Sequence, residues 1–179
     1  MQIFRPYQDH AASARYLCDL RLNKQVLECA QVTKSILIQM GLAEGKGGYF
    51  RHPITQNIWN NGTPYLPDLC RYMAACDHEW IRRGKKRSPE FTAKMNHMRE
   101  LINAHSERFI WEEMPPYFVS GDTRETDTHK VFVLYQKLLH EKWETDKRPP
   151  KASLSFSSQK SFPPQITGKK LPLFHNHAT

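Results

Sequence analysis

The chain has 179 residues, 39% of them hydrophobic, with 26 Lys and Arg against 18 Asp and Glu and a net charge of +8. That length suits one domain with a hydrophobic core rather than two, and that composition excludes a disordered chain. No apolar run reaches the ~18 residues of a membrane span, and Met1-Gln2-Ile3-Phe4-Arg5-Pro6 lacks the basic-then-apolar order of a secretory signal.

The excess of basic residues points to a polyanionic partner, nucleic acid being the commonest, and without an apolar span no membrane partner is expected. Cys18, Cys29, Cys70 and Cys76 lack the close paired spacing of a zinc site. They read as reduced, buried cysteines of a cytoplasmic protein. Neither a metal nor a cofactor is expected.

Helical patterns dominate. Asp9 suits an N-cap for a helix over His10 to Leu20. Leu22 to Met40 carries a strong helical period that stops at Gly41, followed by a loop with four glycines between Gly41 and Gly48. His52-Pro53 starts a short helix ending near Asn60-Asn61-Gly62. Pro67 and Asp68 open the next, which runs to Arg83 and ends at Gly84. Ser88-Pro89-Glu90 is a helix start, with a cap, a first-turn proline and an acid at the positive end of the dipole. Met114 to Gly121 reads as irregular, and Asp127 to Glu144 as the last helix, with Val131, Leu134, Leu138 and Leu139 on one stripe.

From Thr145 the composition changes. The tail holds five of the twelve prolines, six Lys and Arg, and one acid, Asp146. The expected organisation is therefore an all-α single compact helical domain over residues 1–144, with an extended basic C-terminal arm over 145–179. His175-Asn176-His177 spells a nuclease motif, but without the dispersed residues and metal-binding hairpin that motif needs.

The most informative segment is Leu22 to Met40. At about 100° per residue, Leu22, Val26, Cys29, Ala30, Thr33, Ile36, Leu37 and Met40 share one face, which should be core. Arg21, Lys24, Glu28, Gln31 and Ser35 form the opposite, polar stripe. Two readings stand at this point. Lys24 and Glu28 form an ordinary i,i+4 surface pair. Alternatively, Arg21 and Lys24 hold phosphates on either side of a nucleotide while Glu28 stabilises positive charge on its sugar.

Asp19-x-Arg21-Leu22-x-Lys24-Gln25-x-Leu27-Glu28-x-x-Gln31 resembles a signature of the pyrimidine-dimer DNA glycosylase (endonuclease V type) superfamily, especially its phage and bacterial branches. Met1-x-x-Phe4-x-Pro6-Tyr7, His52-Pro53 with Trp59, and Tyr72 with Glu79-Trp80 and Arg83-Gly84 extend the likeness over residues 1–84. Tyr135 and Lys142-Trp143 extend it weakly beyond. The resemblance implies an all-α fold whose N-terminal segment threads past a catalytic glutamate, here Glu28. It also implies an N-terminal amine that attacks the sugar, forms a Schiff base and leads to strand nicking. α-Amines as a class titrate near pH 8, which suits that role.

This chain departs from the pattern. Gln2 is bulky where the family has a small residue after Met removal, so Met1 would supply the amine, with Lys24 as the substitute nucleophile. Arg21 stands for a histidine and Gln31 for an arginine. The DNA contacts expected are Arg21, Gln31, His52 near its helix start, and the basic run Arg82, Arg83, Lys85, Lys86 and Arg87. Tyr7, Tyr49, Phe50 and Trp59 are candidates for base stacking. The implied function is a DNA glycosylase, with or without lyase activity, on damaged or modified pyrimidines in double-stranded DNA. A base-modifying phage enzyme on the same scaffold and a DNA-binding protein without chemistry are the alternatives. Acids near Glu28 are too sparse for a two-metal nuclease.

Overall fold

Local sequence sets where each helix begins and ends. In the computed structural model, which describes residues 1–146, helix α1 covers His10–Tyr16 and α2 covers Asp19–Gln39. The Asp9 side chain caps α1 by accepting from the Ala12 N–H at 2.6 Å. The expected continuation to Leu20 is broken, because Leu17 and Cys18 are extended. Arg83 stabilises that break. Its guanidinium donates to the carbonyls of Leu17 (2.8 Å) and Arg15 (3.1 Å), which the interrupted helix leaves without partners.

At its far end α2 closes on Gly41, whose φ of +72° suits a residue without Cβ. The N–H of Leu42 bonds the Leu37 carbonyl and that of Gly41 the Ile38 carbonyl, the paired bonds of a Schellman stop. The glycine loop then folds back onto the helix. A Cβ on Gly47 would lie 3.3 Å from the Ser35 carbonyl oxygen, so only glycine fits there without displacing the backbone.

Helix α3 covers Pro53–Trp59, α4 covers Leu66–Arg82, α5 covers Pro89–Ala104 and α6 covers Thr128–Thr145. Ser88 caps α5 and Asp127 caps α6, each accepting from an N–H three residues on. Single-turn 3₁₀ segments follow α3 and α5. The chain is a mostly helical single domain, as its patterning indicates, with α2 packed on α4 and α4 on α1. No helix among the described residues is long and apolar enough to cross a membrane. Apart from Thr145 and Asp146, the segment expected to be a basic arm lies outside the described residues, as does His175-Asn176-His177.

One stretch read as irregular is partly ordered. Strands β1 (Phe118–Ser120) and β2 (Thr123–Glu125) form an antiparallel hairpin around Gly121, whose φ is +55°. Three-residue strands are too short to show an alternating pattern in sequence. The hairpin packs on α6, where Phe118 meets the fully buried Tyr135 edge-on at 5.0 Å. Tyr135 also donates to the Tyr117 carbonyl at 2.8 Å. The α6 stripe is corrected accordingly: Val131, Tyr135 and Leu139 are buried, while Leu134 and Leu138 are only partly so.

The largest departure concerns α2. Its expected core face is buried, except that Met40 at the helix end is only partly so, but Gln25, Glu28, Val32 and Ser35 are buried as well. The polar stripe is therefore divided between interior and solvent. Residues 2–6 lie along it as an extended thread. The Gln25 amide grips that thread at two points, accepting from the Phe4 N–H (2.8 Å) and donating to the Gln2 carbonyl (3.2 Å). Tyr72 donates to the Phe4 carbonyl and Gln136 to the Pro6 carbonyl.

Candidate active site

The thread ends beside Glu28. The Met1 nitrogen stands 3.9 Å from Glu28 Oε1, and the Gln2 N–H donates to Oε2 at 3.2 Å. Lys24 Nζ approaches Oε1 at 3.8 Å from one helical turn away. The Met1 and Glu28 side chains are 2% and 9% exposed, against 66% for Lys24. The carboxylate thus sits recessed, Met1 as a whole residue is half-buried beside it, and the lysine stands at the rim.

These groups share a pocket of about 410 Å³ with Arg21, Leu20 and, from α6, Lys142. That is within the range of small-ligand sites. In the sequence Lys142 belongs only to a weak terminal likeness. Its place in the pocket depends on α6 folding back, which no local pattern reports. Gln2, the bulky second residue, also lines the pocket but is tied to the hairpin, where its Nε2 donates to the Val119 carbonyl at 2.6 Å.

Deeper in, Arg5 anchors the thread. Its guanidinium meets Asp68 at 3.4 Å and donates to the Met114 carbonyl at 3.1 Å. Asp68, fully buried in the first turn of α4, also takes His10 Nε2 at 2.9 Å, Arg71 at 3.1 Å and the Met114 N–H at 3.0 Å. The sequence marks Asp68 only as a helix opener. Apart from Arg71, three residues on along the same helix, its partners come from three separate segments, so spacing does not reveal them.

Arg21 is not a free cation. It makes a bidentate pair with Asp146 at the end of α6, with Nη2 to Oδ1 at 2.7 Å. The Asp146 hydrogen bond raises the Arg21 pKa, and Arg21 holds the Asp146 carboxyl below its usual range. Gln31 is exposed one turn beyond Glu28 and does not line the pocket.

His52 caps α3, its Nδ1 accepting from the Ile54 N–H at 3.2 Å. That bond leaves the proton of the neutral ring on Nε2. Burial lowers its pKa, and the positive charges of the Met1 amine and Arg124 lower it further. His52 therefore lies within electrostatic reach of the Met1 amine. In an NMR pH titration its ring protons are expected to show a midpoint below the ordinary 6.5. A midpoint at or above that value would separate His52 from the positive charges around the site.

The basic run is corrected in part. Arg83 is 4% exposed and bonds Glu79 (2.7 Å) and Asp19 (3.0 Å) as well as the two carbonyls of the helix break. Arg87 is 9% exposed, bonds Asp77 at 2.7 Å, donates to Asn23, and stacks on Trp80 with 5.0 Å to the ring centroid. Both serve the interior. Lys86 faces solvent, Arg82 pairs with Glu79 while largely exposed, and Lys85 bridges to Asp19 at 3.1 Å. Among the aromatics, Phe50 packs edge-on against Trp59 and Tyr7 against Tyr16, while Tyr49 is exposed.

No curated protein and no solved structure matches the chain. The sequence model of the pyrimidine dimer DNA glycosylase family does, over residues 1–93. That stretch is more than half the chain, and it contains the thread, α2 and α4, which together set the Met1 nitrogen against the Glu28 carboxylate. The chain belongs to the pyrimidine dimer DNA glycosylase family.

Proposed function

We propose that this protein is a DNA glycosylase with lyase activity, acting on damaged or modified pyrimidines in duplex DNA through the Met1 amine and Glu28. The observation that supports this reading is the amine–carboxylate pair, 3.9 Å apart in a pocket of about 410 Å³ that Lys24 and Lys142 also line. Membership of the family makes DNA the substrate. Lys24 and Lys142 supply the phosphate contacts that position a strand, while Arg21 is held by Asp146.

In the proposed reaction the neutral Met1 amine donates its lone pair to C1′ of the target sugar. The C1′–N bond breaks and the base leaves with the bonding pair, taking up a proton. Positive charge develops on the sugar, and the Glu28 carboxylate stabilises it from a site largely closed to water. Ring opening gives an imine between Met1 and C1′. Loss of a C2′ proton then pushes electrons toward C3′, expels the 3′-phosphate and nicks the strand. Hydrolysis of the imine returns the amine.

Retention of Met1 is part of this reading. An N-terminal glutamine cyclises onto its own side-chain amide with loss of ammonia, which would remove the nucleophile. Lys24 is the second candidate, because its Nζ stands 3.8 Å from the same carboxylate oxygen.

Borohydride reduction during incubation with duplexes carrying an abasic site or a pyrimidine dimer tests this directly. Peptide mapping is expected to place the adduct on Met1. An adduct on Lys24 would keep the chemistry and move the nucleophile. Tight binding without an adduct on either duplex would overturn the lyase and leave a water-using glycosylase, a base-modifying enzyme or a DNA-binding protein.

A further inference from the structure

The outer strip of α2 has a composition that neither folding nor the chemistry at Glu28 requires. Residues 20, 24, 27 and 31 recur at steps of four, three and four, so they lie along one line of the helix. Lys24 and Gln31 are exposed, as a surface helix demands. Leu20 and Leu27 are exposed too, at 64% and 40%. On the same helix Leu22, Val26, Cys29, Val32 and Ile36 are each fully buried. The two outward leucines therefore stand apart from the core, on either side of Lys24, and Leu20 is itself a wall of the pocket.

Access to the reacting groups calls for a feature of this kind. C1′ of a stacked nucleotide is reached from the minor groove, which is only about 6 Å wide in B-DNA, whereas a helix with its side chains is about 10–12 Å across. The Glu28 side chain is only 9% exposed, so a sugar must be drawn out of a regular duplex to meet it. Proteins that open a minor groove commonly do so with apolar side chains inserted between base steps. Leu20 and Leu27 are about 10 Å apart along the helix axis, or about three base steps. The cations at Lys24 and Lys142 lie at the same place, which favours a nucleic acid over an apolar protein surface as the occupant.

We propose that Leu20, Lys24, Leu27 and Gln31 form a minor-groove wedge, in which Leu20 and Leu27 unstack the bases flanking the target nucleotide while Lys24 contacts the backbone between them. The role assigned to the wedge rests on the glycosylase reading above. Gln31, one turn beyond, is placed to meet base edges or sugars in the opened groove.

The test uses a duplex with a tetrahydrofuran abasic analogue, which cannot form an imine, and a neighbouring 2-aminopurine, which brightens on unstacking. The full-length protein is expected to raise the fluorescence at least about twofold at saturation. Leu20→Ala/Leu27→Ala is expected to lose that rise while anisotropy still reports binding. On reactive abasic DNA, the ratio of trapping rates on duplex and single-stranded substrates is expected to fall at least about tenfold in the double variant. Both leucines face solvent, so an unchanged melting temperature is the folding control.

A double variant that brightens the probe like the native protein would overturn the wedge, as would a native protein that never brightens it. Trapping by the native protein with no leucine dependence would leave the glycosylase and remove the wedge. Leucine-dependent brightening without any trapping would leave the wedge and remove the lyase.

Discussion

Glu28→Gln is expected to lower the single-turnover rate of base release by about 10²–10³-fold, the usual effect of removing one charged group that stabilises a transition state. The substitution is nearly isosteric. The amide oxygen can still accept from the Gln2 N–H, which now bonds the carboxylate at 3.2 Å. The thread should therefore keep its path, and the melting temperature and DNA affinity should change little. What is lost is the negative charge 3.9 Å from the Met1 nitrogen. Paired measurements of rapid-quench kinetics and equilibrium binding separate the two effects. Activity within about threefold of native would show that Glu28 only holds the thread, since a charge acting on the sugar is worth far more.

Asp68→Ala is expected to do the opposite, costing stability first. The carboxylate is fully buried and takes bonds from Arg5, His10, Arg71 and the Met114 N–H. Removing one member of a buried ionic cluster typically costs about 3–5 kcal/mol, because the others are left without a counter-charge. In a domain of this size that corresponds to a fall of roughly 10 °C in melting temperature, readable by circular dichroism. Arg5 would also lose its anchor, so trapping should slow even at temperatures where the variant is folded. A loss under about 1 kcal/mol would mean that the partners find water or other acceptors.

The same carboxyl predicts an acid limb. Burial opposes its ionisation, but the His10 hydrogen bond and charge, the Arg5 charge and the Met114 N–H together hold it below the usual range. Glu79 with Arg82 and Arg83, and Asp19 with Arg83 and Lys85, are held low in the same way against burial. A carboxyl that titrates lower when folded contributes stability that is complete above its unfolded pKa, near 4 for these groups as a rough value. That contribution is lost as pH falls through the folded value. The native melting temperature should therefore drop below about pH 4, and Asp68→Ala should flatten that drop.

The sequence by itself determined the helical class and most helix ends. Asp9, Ser88 and Asp127 cap helices, and Gly41 stops one, through bonds that span no more than five residues, so their evidence is local. It also placed Arg21, Lys24 and Glu28 along one side of α2. The tertiary structure decided which of these meet the reacting pocket, because burial of a polar side depends on what covers it. Residues 2–6 cover Glu28 and Gln25, the glycine loop covers Ser35, and Lys24, Leu27 and Gln31 are left outside. Arg83 and Arg87 look like surface cations in a basic run, yet acids on α2 and α4 and the carbonyls of a helix break draw them inward. The hairpin that ties Gln2, the cluster at Asp68 and the entry of Lys142 join segments dozens of residues apart. Such contacts form only when the helices pack, because no periodicity within one segment encodes the identity of its neighbour.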